Sequence, residues 1–213
     1  IECAGDMGAQ LLEAQLIKQL SPKYNVRLKK VTKLWSFETL EDKQGYLNLK
    51  LVSTDQLSAD TLQNRFGLYR SKKQALTALE KLVQQHRLCQ RLTGLENKRS
   101  GACFAFQLKR CIGACCEQEA PQTYNLRLKT AIEPMREKAW PWSGAILVKE
   151  QHGEIEQVHV IHQWCWLGTA SDEGELEGLL ESKTTAHQIE LDVYKILVKF
   201  LFKPDSSAMI KAL

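Results

Sequence analysis

The stretch from Arg87 to Cys116 reads RLCQRLTGLENKRSGACFAFQLKRCIGACC and contains five of the seven cysteines of the 213-residue chain. Four of them are separated by 13, 7 and 3 intervening residues: Cys89, Cys103, Cys111 and Cys115. The stretch has little regular periodicity, which is typical of small folds whose loops are held by a bound metal. Four thiolates can hold a tetrahedral zinc ion or an iron–sulfur cluster, and the spacing fits both. The alternative is that the thiols are small buried apolar groups.

Basic residues surround these cysteines: Lys98, Arg99, Lys109 and Arg110. Such residues can offset thiolate charge and can also contact the phosphates of a nucleic acid. The net charge of +4 and the pI near 8.6 permit a nucleic-acid partner without requiring one. We therefore predict that this basic group contacts DNA, while a solvated charged surface is the ordinary alternative.

Local patterns on both sides of the cysteines predict an α+β fold in three segments, 1–33, 34–138 and 139–213. Apolar periodicity predicts helices at 8–20, 71–86, 124–135, 172–180 and 192–201, the second with Ser71 as its N-cap. Alternating residues predict a hairpin of strands 34–40 and 46–52 and a second pair of strands at 145–149 and 157–161. The middle segment then carries the cysteines, and the last one forms a small α+β lobe.

The first helix carries a carboxylate at an unusual place. An apolar arc forms along one side of the helix from Ala9, Leu12, Leu16, Ile17 and Leu20, and Glu13 falls in its middle. A carboxylate buried among apolar side chains needs a cation, a proton or a hydrogen-bonding partner. Glu13 is therefore a candidate metal ligand, unless this face is exposed or Lys18 pairs with the carboxylate.

Composition limits the class of protein. The 44% apolar and 25% charged residues are typical of a folded globular chain. The longest apolar runs are short and interrupted, as by Lys199, so we expect no membrane segment. An odd number of cysteines without an export signal predicts a reducing compartment, hence a cytoplasmic protein. The opening IECAG resembles a strand that enters a turn, so we expect the chain to start inside a domain.

Several motifs together resemble one family. Ala4 to Asn25 reads AGDMGAQLLEAQLIKQLSPKYN, which is similar to the last part of the GIY-YIG nuclease domain of UvrC-like excinucleases. FGLYRSKKQALTALEKL (Phe66 to Leu82), the cysteine stretch and AWPWSGAILVKEQHGEIEQVHVIHQWCWLG (Ala139 to Gly168) resemble the shorter, Cho-type members of that family. The resemblance covers nearly the whole chain.

The resemblance implies a function and a set of site residues. It implies a DNA repair endonuclease of nucleotide excision repair that cuts damaged DNA once, on the 3′ side of the lesion, after UvrA has loaded UvrB. Glu13 would bind the catalytic Mg²⁺ or Mn²⁺, and Asn25 would help to position the site. The four cysteines would hold an iron–sulfur cluster, with Cys116 as a possible substitute for its neighbour.

The same resemblance limits what this stretch of chain does alone. The family's two motif tyrosines and its arginine lie upstream of its glutamate, and no counterpart precedes Glu13. We therefore expect no nuclease activity from this stretch by itself. Two other readings stay open: a proofreading-type exonuclease, like the epsilon subunit of DNA polymerase III, fused in front of a GIY-YIG and Cho-like region, and a noncatalytic DNA-binding protein with a metal cluster.

The carboxy-terminal histidines and tryptophans have ordinary explanations. His159 and His162 lie in a predicted strand near Cys165, which could suggest a second metal site. We expect them instead to be strand residues with hydrogen-bonded rings. The tryptophans, Trp140, Trp142, Trp164 and Trp166, could stack on unpaired bases, but their apolar surroundings favour a role in the core.

Overall fold

A computed structural model describes residues 1–21, 33–58, 62–97, 101–181, 188–203 and 209–213. Asn25, Lys98 and Arg99, which the sequence nominates as site residues, lie outside these ranges. The chain divides into two compact units. Unit 1 contains Ile1–Val31, Gln56–Ala59 and Lys138–Leu213, and unit 2 contains Thr32–Asp55 and Asp60–Glu137.

Unit 2 is built on a three-stranded antiparallel sheet. Its strands are β1 (Leu34–Glu41), β2 (Leu47–Thr54) and β3 (Phe66–Tyr69), in the order β2-β1-β3. The predicted β1–β2 hairpin is confirmed. Its turn is fixed by Asp42, whose Oδ1 accepts hydrogen bonds from the backbone N–H groups of Gln44 and Tyr46, each at 3.0 Å.

The described part of unit 2 also contains the helices α2 (Lys72–Gln85), the single turn α3 (Phe104–Gln107) and α4 (Pro121–Ile132). Ser71 caps α2 as predicted, since its Oγ accepts a hydrogen bond from the backbone N–H of Gln74 at 3.2 Å. Short 3₁₀ turns lie at Ala114–Cys116 and Glu133–Met135. One core joins the sheet, the helices and the cysteine segment, with Phe37, Leu79, Tyr124, Leu128 and Ile132 nearly inaccessible to solvent.

Unit 1 combines helices with a four-stranded antiparallel sheet. Its helices are α1 (Asp6–Leu20), α5 (Glu173–Glu181) and α6 (Leu191–Leu201). Its strands are β4 (Ile146–His152), β5 (Ile155–His162), β6 (Cys165–Ala170) and β7 (Ile210–Ala212), in the order β6-β5-β4-β7. The mixture of helix and sheet in the two units agrees with the predicted α+β class.

The opening segment packs with the carboxy-terminal one rather than standing apart. Helix α1, which the sequence assigns to its own segment, packs against α6 within unit 1. An ion pair between Lys18 and Glu190 supports that contact. Trp164 is a core residue, as expected, with its ring 5.3 Å from Trp140 and 5.0 Å from Tyr194 between centroids. None of the helices in the described part of the chain is long and apolar enough to cross a membrane.

Candidate metal and nuclease sites

The structure brings the predicted cysteines together in unit 2. The sulfur atoms of Cys89, Cys103 and Cys115 lie within 4.8 Å of one another. Cys111 adjoins this group and is close enough to Cys89 and Cys103 for its pKa to be affected by both, although the three sulfur atoms within 4.8 Å do not include it. Cys116 lies beside Cys115, and its Sγ donates to the backbone oxygen of Gly113 at 3.3 Å. Three of the four thiols that were nominated from spacing therefore form one close group, and Cys111 adjoins it.

Irregular backbone makes this convergence possible. Cys103 is the residue that starts α3, and its backbone N–H donates to Cys115 Sγ at 3.3 Å. Gly113 adopts a left-handed conformation (φ 100°), and its N–H donates to Cys111 Sγ at 3.4 Å. A side chain at Gly113 would meet the Phe106 ring 2.7 Å away. Backbone donors that point at sulfur stabilise negative charge there, as thiolate ligands require.

The thiols perturb one another's proton affinities. The hydrogen bond from Cys89 lowers the pKa of Cys111 to about 6. The same hydrogen bond, followed by burial, raises the pKa of Cys89, while burial raises the pKa of Cys103 to about 11. The group thus favours one thiolate whose neighbours keep their protons. Because metals bind thiolates, a metal entering this group would release those protons.

Two polar features next to the thiols fit a bound metal group. The Tyr124 side chain is fully buried, and its hydroxyl has no hydrogen-bond partner in the described part of the chain. Arg127 forms a bidentate ion pair with Glu119 and lies 5.6 Å from the Tyr124 ring centroid. Its positive charge also contributes to the lowered pKa of Cys111. A buried donor without an acceptor and a fixed cation both suit an anionic thiolate cluster.

Helix α1 of unit 1 places Glu13 differently from the sequence prediction. The face that packs into the core carries Met7, Leu11, Ala14 and Ile17, whereas Glu13 is exposed. The apolar arc around Glu13 is not the face that packs into the core, because α1 has apolar side chains on two sides. The second side forms an open groove around Glu13, lined by Ile1, Cys3, Ala9, Leu12, Leu16, Ile17 and Leu20.

The Glu13 carboxylate has no ion pair or hydrogen bond with any residue that the structure describes. Lys18, which was considered as its partner, pairs with Glu190 instead. An exposed carboxylate within an apolar groove can receive a metal ion from solvent without a large desolvation cost. The prediction that Glu13 binds a metal remains a prediction.

The carboxylate of Glu150 in β4 holds the amino end of α1. Its Oε1 accepts from the backbone N–H of Met7 at 3.0 Å, and its Oε2 accepts from that of Gly8 at 2.7 Å. His159 Nε2 lies 2.9 Å from Glu150 Oε2, and Thr169 Oγ1 lies 2.8 Å from the other ring nitrogen. Burial raises the pKa of Glu150, but the hydrogen bonds from His159, Gly8 and Met7 outweigh it and leave a net lowering.

Sequence reasoning did not find the Glu150 contact. His159 was expected to be a strand residue with a hydrogen-bonded ring, which is confirmed, whereas Nδ1 of His162 has no partner among the described residues. The missed signal lies in β4, where Ile146, Val148 and Glu150 alternate toward the interior. An acidic residue at an inward position of a strand demands a partner.

The predicted basic residues are only partly described. Lys109 and Arg110 are both exposed at the end of the short helix α3. Lys109 adopts a left-handed conformation (φ 57°), and its backbone oxygen accepts a hydrogen bond from Arg87 at 3.2 Å. The positive charges of this turn therefore face solvent beside the cysteine group.

Two family models match the chain. Residues 39–134 match the middle domain of UvrC/Cho excinucleases, and residues 145–213 match the carboxy-terminal domain of excinuclease Cho. These domains define the class as excinuclease-related. The chain belongs to the UvrC/Cho excinuclease family.

Individual relatives agree with that assignment. Over 197 residues, 92% of this chain, it is 42% identical to excinuclease cho of Salmonella typhi and 39% identical to that of Escherichia coli strain K12. It spans 64% of the length of each of these relatives. It is also 31% identical over 121 residues, 57% of this chain, to the UvrABC system protein C of Rickettsia typhi, covering 19% of that protein. No solved structure matches the chain.

Proposed function

We propose that this chain acts within a DNA repair endonuclease of UvrC/Cho type that incises damaged DNA on the 3′ side of the lesion. The observation that carries the proposal is Glu13, whose carboxylate lies in an exposed apolar groove of α1 and has no ion pair or hydrogen bond with any described residue. In a nuclease, such a carboxylate serves to hold a divalent ion against a phosphate. The excinuclease relatives support the same reaction class.

The proposed metal at Glu13 is Mg²⁺ or Mn²⁺, with Asn25 as a second site residue. Either ion, when bound, would stabilise the negative charge that develops on the phosphodiester. Glu13 holds the ion from the middle of the groove, and the apolar residues around it provide a surface for the rest of a GIY-YIG domain to cover. Leu20, which is 73% exposed, would then become buried.

The proposed cofactor in unit 2 is an iron–sulfur cluster, with zinc as the alternative. Cys89, Cys103, Cys111 and Cys115 would supply the four thiolates. A cluster of this kind fixes a loop that has almost no regular structure of its own and presents Lys109 and Arg110 to solvent. We infer that its role is to hold a DNA-binding surface rather than to take part in phosphodiester hydrolysis.

The proposed partners are damaged DNA and UvrB loaded by UvrA. Support comes from the UvrABC relative and from the excess of positive charge. Phosphate contacts by Lys109, Arg110, Lys98 and Arg99 would make binding weaken with salt.

The test is a chimera in which this chain replaces the matched residues of the Salmonella typhi excinuclease. With UvrA, UvrB and Mg²⁺, the chimera is expected to cut a lesion-bearing duplex on its 3′ side. The variant Glu13→Gln should incise DNA more than about 100-fold more slowly. Loss of a residue that only hydrogen-bonds to a metal ligand already lowers metal affinity or activity about 10–100-fold. Glu2→Gln, an exposed glutamate outside the groove, is the matched control.

Two results would count against the proposal. Incision by Glu13→Gln at the wild-type rate would show that Glu13 does not bind the catalytic metal. A chimera that binds DNA but never cuts it, while the unmodified Salmonella protein does, would favour a noncatalytic role for this chain.

A further inference from the structure

Three large apolar side chains are exposed on the segment that carries the cysteines. Phe104 is 58% exposed, Leu108 45% and Ile112 39%. They are spaced by four residues, whereas Ala105 and Cys111 between them are buried. Soluble proteins seldom concentrate large exposed apolar groups in one short segment unless the surface binds something. We call these three residues the apolar tip.

Two cations lie in the same segment. Lys109 and Arg110 directly follow Leu108 and are exposed. The nearby carboxylate of Glu96 is used internally, because its Oε2 accepts the backbone N–H of Phe104 at 2.8 Å. Glu117 is an exposed acidic residue further along the segment. The chain between Phe104 and Ile112 therefore presents two positive charges and no negative one.

The backbone beneath the tip is held from several sides. Arg91 donates to the backbone oxygen of Gly101 at 2.6 Å and also to that of Cys115. Arg87 fixes the turn at Lys109, and Phe106 packs over Gly113. A backbone that is already fixed loses little conformational entropy on binding, so that only the side chains of the tip remain to be ordered.

We propose that the apolar tip is a wedge that contacts unstacked bases in DNA distorted by a lesion, with Lys109 and Arg110 on the adjoining phosphates. This rests on the proposed DNA repair function and adds the residues that would favour distorted over regular duplex. Phe, Leu and Ile are the side chains that proteins insert between base steps, and aromatic rings stack on unpaired bases. Insertion costs least where a base step is already opened. The positive charges of Lys109 and Arg110 favour binding of a polyanion over binding of an apolar protein surface.

The experiment measures binding of the whole chain, loaded with its metal, to two duplexes of equal length. One is continuous, and the other has a two-nucleotide bulge with 2-aminopurine beside it as a fluorescent base. Phe104→Ala is expected to weaken binding to the bulged duplex on the order of 10-fold and to remove the 2-aminopurine response, with little effect on the continuous duplex. Phe104→Trp should retain both affinity and response.

Two controls separate the wedge from general effects. Lys109→Ala should weaken binding to both duplexes about equally and reduce the salt slope by about one. Leu126→Ala removes an apolar side chain that is 69% exposed on α4 and should change neither affinity. Visible absorption and metal content are measured for every variant to show whether the cysteine group is intact. If Phe104→Ala is poorly folded, Leu108→Ser provides a second variant of the apolar tip.

The outcomes distinguish the wedge from the proposed function. If Phe104→Ala binds the bulged duplex like the wild type while Lys109→Ala weakens binding, the wedge is overturned and DNA binding stands. If Phe104→Ala instead weakens binding to UvrB alone, the tip is a protein-docking surface and the wedge is likewise overturned. If the metal-loaded wild-type chain binds neither duplex, the wedge and the proposed DNA contact fail together.

Discussion

Glu150 Oε2 lies 2.7 Å from the backbone nitrogen of Gly8, so a carboxylate in β4 receives the amino end of the helix that carries Glu13. Glu150 and Gly8 are separated by 142 positions in the sequence. The positive end of a helix dipole and two free amide groups make this a favourable place for a buried negative charge. The carboxy-terminal sheet thereby fixes where α1 begins.

Removal of this carboxylate should destabilise unit 1. Glu150→Ala leaves the N–H groups of Met7 and Gly8 and the His159 ring without their acceptor, and hydrogen bonds to a charged group are worth about 1.5–3 kcal/mol each. We expect the free energy of unfolding to fall by at least about 2 kcal/mol in urea denaturation. Glu156→Ala breaks only the exposed pair with Lys149 on the same hairpin and should cost less than about 1 kcal/mol. Equal losses in both variants would refute the Glu150 contact.

The same contact should make stability depend on pH in a defined range. Because the folded-state pKa of Glu150 lies below its ordinary value near 4.5, the carboxylate contributes stability above the unfolded-state pKa. That contribution is lost as the pH falls through the lower folded-state pKa. We expect the stability difference between wild type and Glu150→Gln to be constant above about pH 5 and to shrink below pH 4. A difference that grows as the pH falls would contradict this sign.

The parts of the fold that follow short-range rules could be predicted from sequence. The β1–β2 turn is set by Asp42, and the start of α2 by Ser71, each through a hydrogen bond that spans four residues or fewer. The cysteines were also found, because thiol spacing is visible in the chain. These signals need no knowledge of distant residues.

Other features depend on tertiary contacts or on unusual turns. Apolar residues lie on both sides of α1, so periodicity cannot decide whether Leu11 or Leu12 faces the core. Strand β6 was missed because Gln163 and Trp164 form the preceding turn at φ 47° and 66°, without the glycine or asparagine that usually marks such a turn. The inward position of Glu150 in β4 indicates that it needs a partner, but nothing local indicates that this partner is α1.

Two glycines should respond in opposite ways to the same substitution. A Cβ at Gly8 would lie 2.6 Å from His159 Cε1 and 3.0 Å from Glu150 Oε2, both of which are held by hydrogen bonds. Gly8→Ala should therefore lower the melting temperature, although alanine favours helix. Gly178→Ala in α5 meets nothing within 4 Å and should stabilise by about 0.5–1 kcal/mol. Stabilisation by Gly8→Ala would show that α1 does not approach His159.

The cysteine group gives a prediction that also identifies its metal. Cys111 adjoins Cys89 and Cys103, whereas the thiol of Cys116 donates to the backbone oxygen of Gly113 and that of Cys165, in unit 1, to the backbone oxygen of Gln163. Cys111→Ser should therefore lose most bound metal, and Cys116→Ser and Cys165→Ser should keep it.

The measurement is metal content by mass spectrometry together with visible absorption, on protein purified without oxygen. Iron with a visible band would support the iron–sulfur cluster, and zinc without one would support the tetrahedral zinc site. Because a metal is expected to hold the irregular loop around Cys103 and Cys111, chelation should also lower the stability of unit 2. Full metal content in Cys111→Ser would remove Cys111 from the ligand set, and Cys116, the last residue of the 3₁₀ turn Ala114–Cys116, would become the residue to test next.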